Sequence, residues 1–167
     1  MTSEPVYEER VSSGWTEGLF LLLTIVCSVL LLWRMNTSGL DALGVVFLVL
    51  SVFFLFYSLN YRTLVVRLTA DVLELKFGIF SWTVPLDNVQ ACRLDDLPTF
   101  MRYGGAGIHF MLIRGRYRVS FNFLEHPRVV VLLKRKRGPV RDVSFSTQRP
   151  DEVIRRVEAA MSASTAS

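Results

Sequence analysis

The chain has 167 residues, of which 51% are hydrophobic and 20% charged, with a mean hydropathy of +0.36 and a net charge of +4. That balance excludes a chain that is nothing but an ordinary water-soluble domain, so membrane segments are sought first. Cys27 and Cys92 stand in apolar surroundings without CxxC or Cys/His spacing, which excludes a disulfide framework and the usual zinc sites.

Residues 1–14 read as an acidic polar tail. Residues 15–33, WTEGLFLLLTIVCSVLLLW, carry one charge, Glu17, and a tryptophan at each end. At 1.5 Å per residue the two indoles stand about 27 Å apart, close to the hydrocarbon thickness of a bilayer. Residues 40–59 are a second apolar run broken only by Asp41. Both runs predict transmembrane helices, and the short connection between them forces an antiparallel hairpin. Ser38 is placed to cap the second helix, and Asp41 lies in its first turn, where the macrodipole favours an anion. The acidic tail and the lack of a small-residue cleavage site predict an anchor rather than a signal peptide. Gly44, Ser51 and Ser58 recur every seven residues, and Thr24, Cys27 and Ser28 form a comparable patch on the first run. These faces are expected to pack together, because small residues let backbones approach in lipid. Arg62 and Arg67 just beyond the second run, with Arg10 before the first, predict a cell-membrane protein with both termini in the cytoplasm.

Residues 60–162, about one small domain, change from apolar runs to alternation. Leu64, Val66 and Leu68, then Leu73, Leu75 and Phe77, fall on alternate positions around an Ala70-Asp71 turn, as in a hairpin. Further strands are predicted at 80–84, 89–94, 108–113, 117–123, 129–133 and 140–145, with a loop at 95–107, DDLPTFMRYGGAG. Pro150, Asp151 and Glu152 open a final helix over 150–162 whose apolar stripe is Val153, Val157, Ala160 and Met161. Residues 163–167 are left as a disordered tail. The expected fold is a membrane α-helical hairpin of two transmembrane helices, followed by a mainly-β open barrel of about seven antiparallel strands with a C-terminal capping helix.

The segments GIFSWTVPLDNV at 78–89, RYGGAGI at 102–108 and STQRPDEVIRRVE at 146–158 give this order a resemblance. It resembles the pleckstrin-homology-like (PH-like) domains of small prokaryotic membrane proteins, over residues 18–162. The resemblance implies a PH-like barrel, a scaffolding role within a membrane assembly, and a family loop of Arg102, Tyr103, Gly104, Gly105 and Gly107. The chain departs from the family at His109, where an arginine is expected.

Little here suggests catalysis. The glycine run at 104–107 lacks the Lys and Ser/Thr of a P-loop, and a strand follows it instead of a helix. His109 and His126 have no ligand set beside them, and Asp95-Asp96 reads as a solvated turn. No enzyme activity, cofactor or metal is expected. Positive charge is the remaining signal: residues from 60 onward hold 17 Lys+Arg against 10 Asp+Glu, a net +7, whereas the first 59 residues sum to −3. Arg114, Arg116 and Arg118 have strand spacing, while Lys134, Arg135, Lys136 and Arg137 crown a predicted hairpin turned by Gly138-Pro139. With Arg62 and Arg67 these form a candidate basic surface. The expected partners are the lipid bilayer itself, anionic lipid head groups, and an acidic membrane-protein partner or a second copy. Service as an accessory subunit of a membrane enzyme or transporter is the alternative, and a membrane-tethered nucleic-acid binder is the weaker one.

Overall fold

The computed structural model describes residues 5–97, 107–134 and 138–165. The chain divides into two compact units: Ser13–Arg62, and a second made of Met1–Ser12 together with Thr63–Ser167.

The first unit is a pair of helices, α1 (Gly14–Ser38) and α2 (Ala42–Asn60), both long and apolar enough to cross a membrane. Ser13 caps α1 by accepting from the Thr16 N–H at 3.1 Å. The hairpin connection is shorter than expected, because α1 runs one turn past Trp33 and ends at Gly39, whose φ of 73° only glycine adopts readily. Asp41, not Ser38, caps α2: one carboxylate oxygen accepts from the Gly44 N–H at 2.9 Å and the other from Arg34 Nε at 3.0 Å. The helices pack against each other along a seam whose buried residues are Thr16 and Cys27 of α1 and Gly44 and Ser51 of α2. Ser28 donates to Ser51 across it at 3.3 Å, and Cys27 and Ser51 are buried. Thr24 and Ser58 are half-buried, Thr24 turning its hydroxyl back to the Phe20 carbonyl at 2.8 Å. Gly44 is buried, yet a methyl there would first meet its own turn, with Asp41 and Leu40 at 3.4 Å. A tilted aromatic contact near one end, Phe20 with Tyr57 at 5.3 Å between ring centroids, completes the seam.

The second unit begins where the sequence predicts a tail. Residues 7–12 are strand β1 (Tyr7–Ser12), paired antiparallel with β2 (Thr63–Leu68) over the whole length, Tyr7 opposite Leu68 and Ser12 opposite Thr63. β3 (Val72–Phe77) and β4 (Phe80–Pro85) complete a four-stranded sheet in the order β1-β2-β3-β4. The alternation expected of β2 and β3 is present, with Leu64, Val66, Leu68, Leu73, Leu75 and Phe77 buried. β1 follows the same period, but Glu9 occupies an inward position and three charges in six residues disguise it. Glu9 is buried and accepts from the Tyr7 hydroxyl at 3.0 Å, the Thr147 hydroxyl and the Gln148 N–H at 2.8 Å, which ties β1 to the start of the last helix.

On the outer face Arg67 stands between the two residues opposite it in register, 3.1 Å from Glu8 and 3.7 Å from Glu74. The hydrogen bond from Arg67 holds the Glu8 carboxyl below the usual carboxylate range. A depressed carboxylate contributes stability above its unfolded pKa and loses it as pH falls through the folded value. The β1 edge is therefore expected to exchange its amide hydrogens faster, relative to β3, below the ordinary carboxylate range than at neutral pH. A β1/β3 exchange ratio that stays flat with acidification, after correction for intrinsic rates, would show that this pair does not hold the edge.

The remaining strands are β5 (Val89–Leu94), β6 (Gly107–Ile113), β7 (Arg116–Asn122), β8 (Arg128–Leu133) and β9 (Val140–Ser146), in a five-stranded sheet ordered β5-β8-β9-β7-β6. The described residues thus hold nine strands in two sheets and no closed barrel, in place of about seven antiparallel strands in one barrel. The β8–β9 hairpin inserts between β5 and β7, so β9 lies parallel to β7, a pairing the expected meander lacks. Phe77 packs on Phe121 and Phe123 at 6.1 and 5.2 Å between ring centroids, joining the two sheets in one core. Helix α3 (Pro150–Thr165) covers β5 and β8 with Val153 and Val157, both buried. It continues through residues 163–165, which the sequence assigns to a disordered tail, because alanine and serine add little cost to a helix already nucleated.

Candidate functional site

Strands β7 and β9 alternate in the same phase: Arg116, Arg118, Ser120 and Asn122 on one face of β7, and Asp142, Ser144 and Ser146 on the matching face of β9. Alternation of this kind predicts a polar face in water. Instead Arg118, Ser120, Asn122, Asp142, Ser144 and Ser146 are all buried. The parallel register sets Arg118 beside Asp142 and Ser120 beside Ser144, whose hydroxyls are 2.6 Å apart.

Arg118 is the centre of this layer. Its side chain is 4% exposed, and its guanidinium reaches Asp95 at 3.0 Å and Asp142 at 3.4 Å, carboxylates whose side chains are 1% and 3% exposed. Arg116 approaches Asp142 from the outer side at 2.8 Å. Two arginines and two aspartates give an inner layer of no net charge. Among the described residues it is incompletely hydrogen-bonded, since the buried Nε atoms of Arg116 and Arg118 and the Oδ2 of Asp95 have no partner there.

Above this layer opens a cleft of about 210 Å³ lined by Arg93, Asp96, Ile113, Arg114, Arg116, Arg118 and Asp142, among others. Arg93 comes from the end of β5, and Asp96 follows three residues later. Arg114 comes from the β6–β7 turn. Asp96 lies 3.5 Å from Arg93 and 3.7 Å from Arg114, longer than the 2.7–2.9 Å of a tight charged hydrogen bond. The Arg93 charge, with help from Arg114, holds the Asp96 carboxyl below its usual range, so it is an anion at neutral pH. Among the described residues the outer layer, two arginines against one aspartate, carries a net +1.

Arg114 also occupies a costly backbone position. The two-residue turn Arg114-Gly115 has φ values of 49° and 73°, the mirror-image turn that favours Asn-Gly or Gly-Gly. A left-handed residue other than glycine costs roughly 1 kcal/mol. The sequence carries that cost at the residue whose guanidinium closes the cleft.

Part of the basic surface read from the sequence is neutralised in place among the described residues. Arg62 pairs with Glu17 at 3.2 Å, Arg67 with Glu8 and Glu74, and Arg118 is not on the surface at all. Arg114 lies in a turn, so only Arg116 and Arg118 share a strand face. Asp95, read as part of a solvated turn, is a buried partner of Arg118. Lys134 follows β8 and donates its backbone N–H to the Asn88 carbonyl at 2.8 Å; Arg135, Lys136 and Arg137 lie outside the described residues. Of the family loop, Gly107 opens β6 with a φ of 106°, while Arg102, Tyr103, Gly104 and Gly105 lie outside the described residues. Arg93 and Asp142 were not singled out by the sequence; the readable signal was an acid on β9 in the same phase as the arginines of β7.

His126 sits in the β7–β8 turn with Nε2 2.9 Å from the Ser12 carbonyl. Burial pushes the Cys92 thiol up to about 12, which leaves it a poor nucleophile at neutral pH. A second cavity of about 250 Å³ is lined by Trp82, Val84, Pro85 and Leu133 among others, with no charged side chain among the described residues of its wall. Comparison with family models, with characterised proteins and with solved structures found no match, so the reading of this cleft rests on its own geometry.

Proposed function

We propose that the protein is a non-catalytic, membrane-anchored interaction module that displays its β unit in the cytoplasm and recognises an acidic partner through the arginine-lined cleft. The observation that carries this reading is the pairing of β1 with β2 on either side of the helical hairpin. Two strands of one sheet lie on one side of a membrane, so the hairpin between them crosses an even number of times. Two spans meet that condition with the helix lengths at hand. Arg62 and Arg67 beside the second helix favour the cytoplasmic side. The strands-then-helix order supports a PH-like architecture, and the parallel β7–β9 pair stands against it.

The test has two arms. In intact spheroplasts, tags at both termini are expected to resist external protease until the membrane is broken; cleavage of either tag in intact cells overturns the orientation. Capture of the full chain from mild detergent, read by mass spectrometry, is expected to recover a partner that is lost with the Arg93→Gln/Arg114→Gln variant. A partner retained equally by the variant removes the cleft from the reading.

A further inference from the structure

The cleft has three features that a structural ion-pair network does not require. Among the described residues its rim holds two guanidiniums for one carboxylate, at distances too long for tight bonds. Its floor holds a side chain 4% exposed, Arg118, with a buried Nε that has no partner among the described residues. Its turn keeps an arginine at a positive φ where glycine or asparagine is more stable. Strained residues persist where the surroundings or a function fix them.

We propose that the cleft is an oxoanion site for a phosphate-type dianion, gripped by Arg93 and Arg114 at the rim once it displaces the Asp96 carboxylate. Asp96 is then an internal stand-in for the ligand, lying between the two guanidiniums. The charge count selects the class. The inner layer, Arg116 and Arg118 against Asp95 and Asp142, is neutral, so the rim alone sets the balance. With Asp96 turned out, the rim presents two positive charges, which a dianion neutralises and a single carboxylate does not. Planar guanidiniums suit tetrahedral oxoanions through paired N–H donors. The volume accommodates a phosphate group with part of the molecule that bears it. Half-exposed Asp96, loosely held, can leave without opening the core.

This assignment deepens the interaction-module reading and rests on it only in taking the cleft as a binding surface. Phosphate binding is measured without a partner, so its failure leaves the membrane and partner experiments standing. The full chain in detergent is titrated with sodium phosphate, above the second phosphate ionisation, against sodium chloride of equal ionic strength. Phosphate is expected to raise the thermal midpoint of the β unit and to bind saturably. Asp96→Asn is expected to tighten that binding about tenfold, the effect of removing one nearby unit charge from a partly solvated cleft. Arg114→Gly is expected to raise the midpoint without phosphate, by relieving the turn, and to abolish the response to phosphate.

An Arg114→Gly protein that still responds, or an Asp96→Asn protein that binds no tighter, overturns the proposal. Tighter binding of succinate than of phosphate also overturns it, in favour of an acidic peptide. The source of the phosphate is read in nanodiscs containing phosphatidic acid, a phosphate monoester. Loss of the response to free phosphate there, but not with phosphatidylglycerol, upholds the site and assigns it a lipid head group. An unchanged response upholds it and assigns a soluble phosphate compound.

Discussion

A chain beginning at residue 13 is expected to enter the membrane normally and to fail to hold its β unit. The deletion removes all of β1 and with it Tyr7, Glu9 and Val11, each buried, Val11 completely. Burial of the two apolar side chains alone contributes about 1.5–3 kcal/mol apiece. Loss of Glu9 strips the Thr147 hydroxyl and the Gln148 N–H of their acceptor where α3 begins. β2 becomes a bare edge with six unpaired positions. The sum is of the order of a whole domain's stability, about 5–15 kcal/mol. Limited proteolysis in detergent should show the truncated β unit cut within β2 and β3 under conditions that leave the full chain intact, while the α1–α2 fragment survives in both. Equal resistance of the two proteins would mean that β1 is an ornament. A fragment spanning residues 60–167 is for the same reason a poor reagent for binding studies.

Replacing Arg118 by alanine is the single substitution with the largest expected cost. It leaves Asp95 buried without its cation and Asp142 with Arg116 alone. Breaking a buried pair by removing one partner costs about 3–5 kcal/mol, most of it the penalty of the charge left behind. Arg118→Lys should rescue little, because an ammonium cannot span two carboxylates as a guanidinium does. The check is a double-mutant cycle with Asp95→Asn, which removes the stranded charge. On that background Arg118→Ala is expected to cost at least about 1 kcal/mol less than alone. Strict additivity would show that the two residues are neighbours without being coupled.

The helical hairpin, the β2–β3 hairpin and α3 were legible in the sequence because one pattern governed each: an unbroken apolar run, a two-residue period, a capped amphipathic stripe. β1 was not, for a physical reason. Its inward positions are Tyr7, Glu9 and Val11, and a carboxylate on the core side erases the alternation unless its donors, Thr147 and Gln148, are already known. The cleft was half legible. The arginines of RGRYR drew notice as surface charge, but the same period that predicts a wet face also describes a buried polar layer. Only the parallel register of β7 with β9 decides between them, by setting Asp142 against Arg118. Asp95 and Asp96, adjacent and dismissed together, take opposite roles: one is buried under Arg118 and the other spans the rim. Neighbouring residues point apart, and that divergence is how one dipeptide serves two layers.

The facing of Ser12 and Thr63 has a meaning for the ancestry and engineering of the chain. Directly opposed ends of an antiparallel pair are what a two-residue turn joins. The whole of Ser13–Arg62 thus occupies the place of an ordinary hairpin tip, as an insertion into a β fold that is complete without it. Excising it and closing β1 to β2 with Asn-Gly should give a water-soluble protein that keeps the arginine cleft, and grafting the same fifty residues onto another exposed β-hairpin is a route to tethering that protein to a membrane.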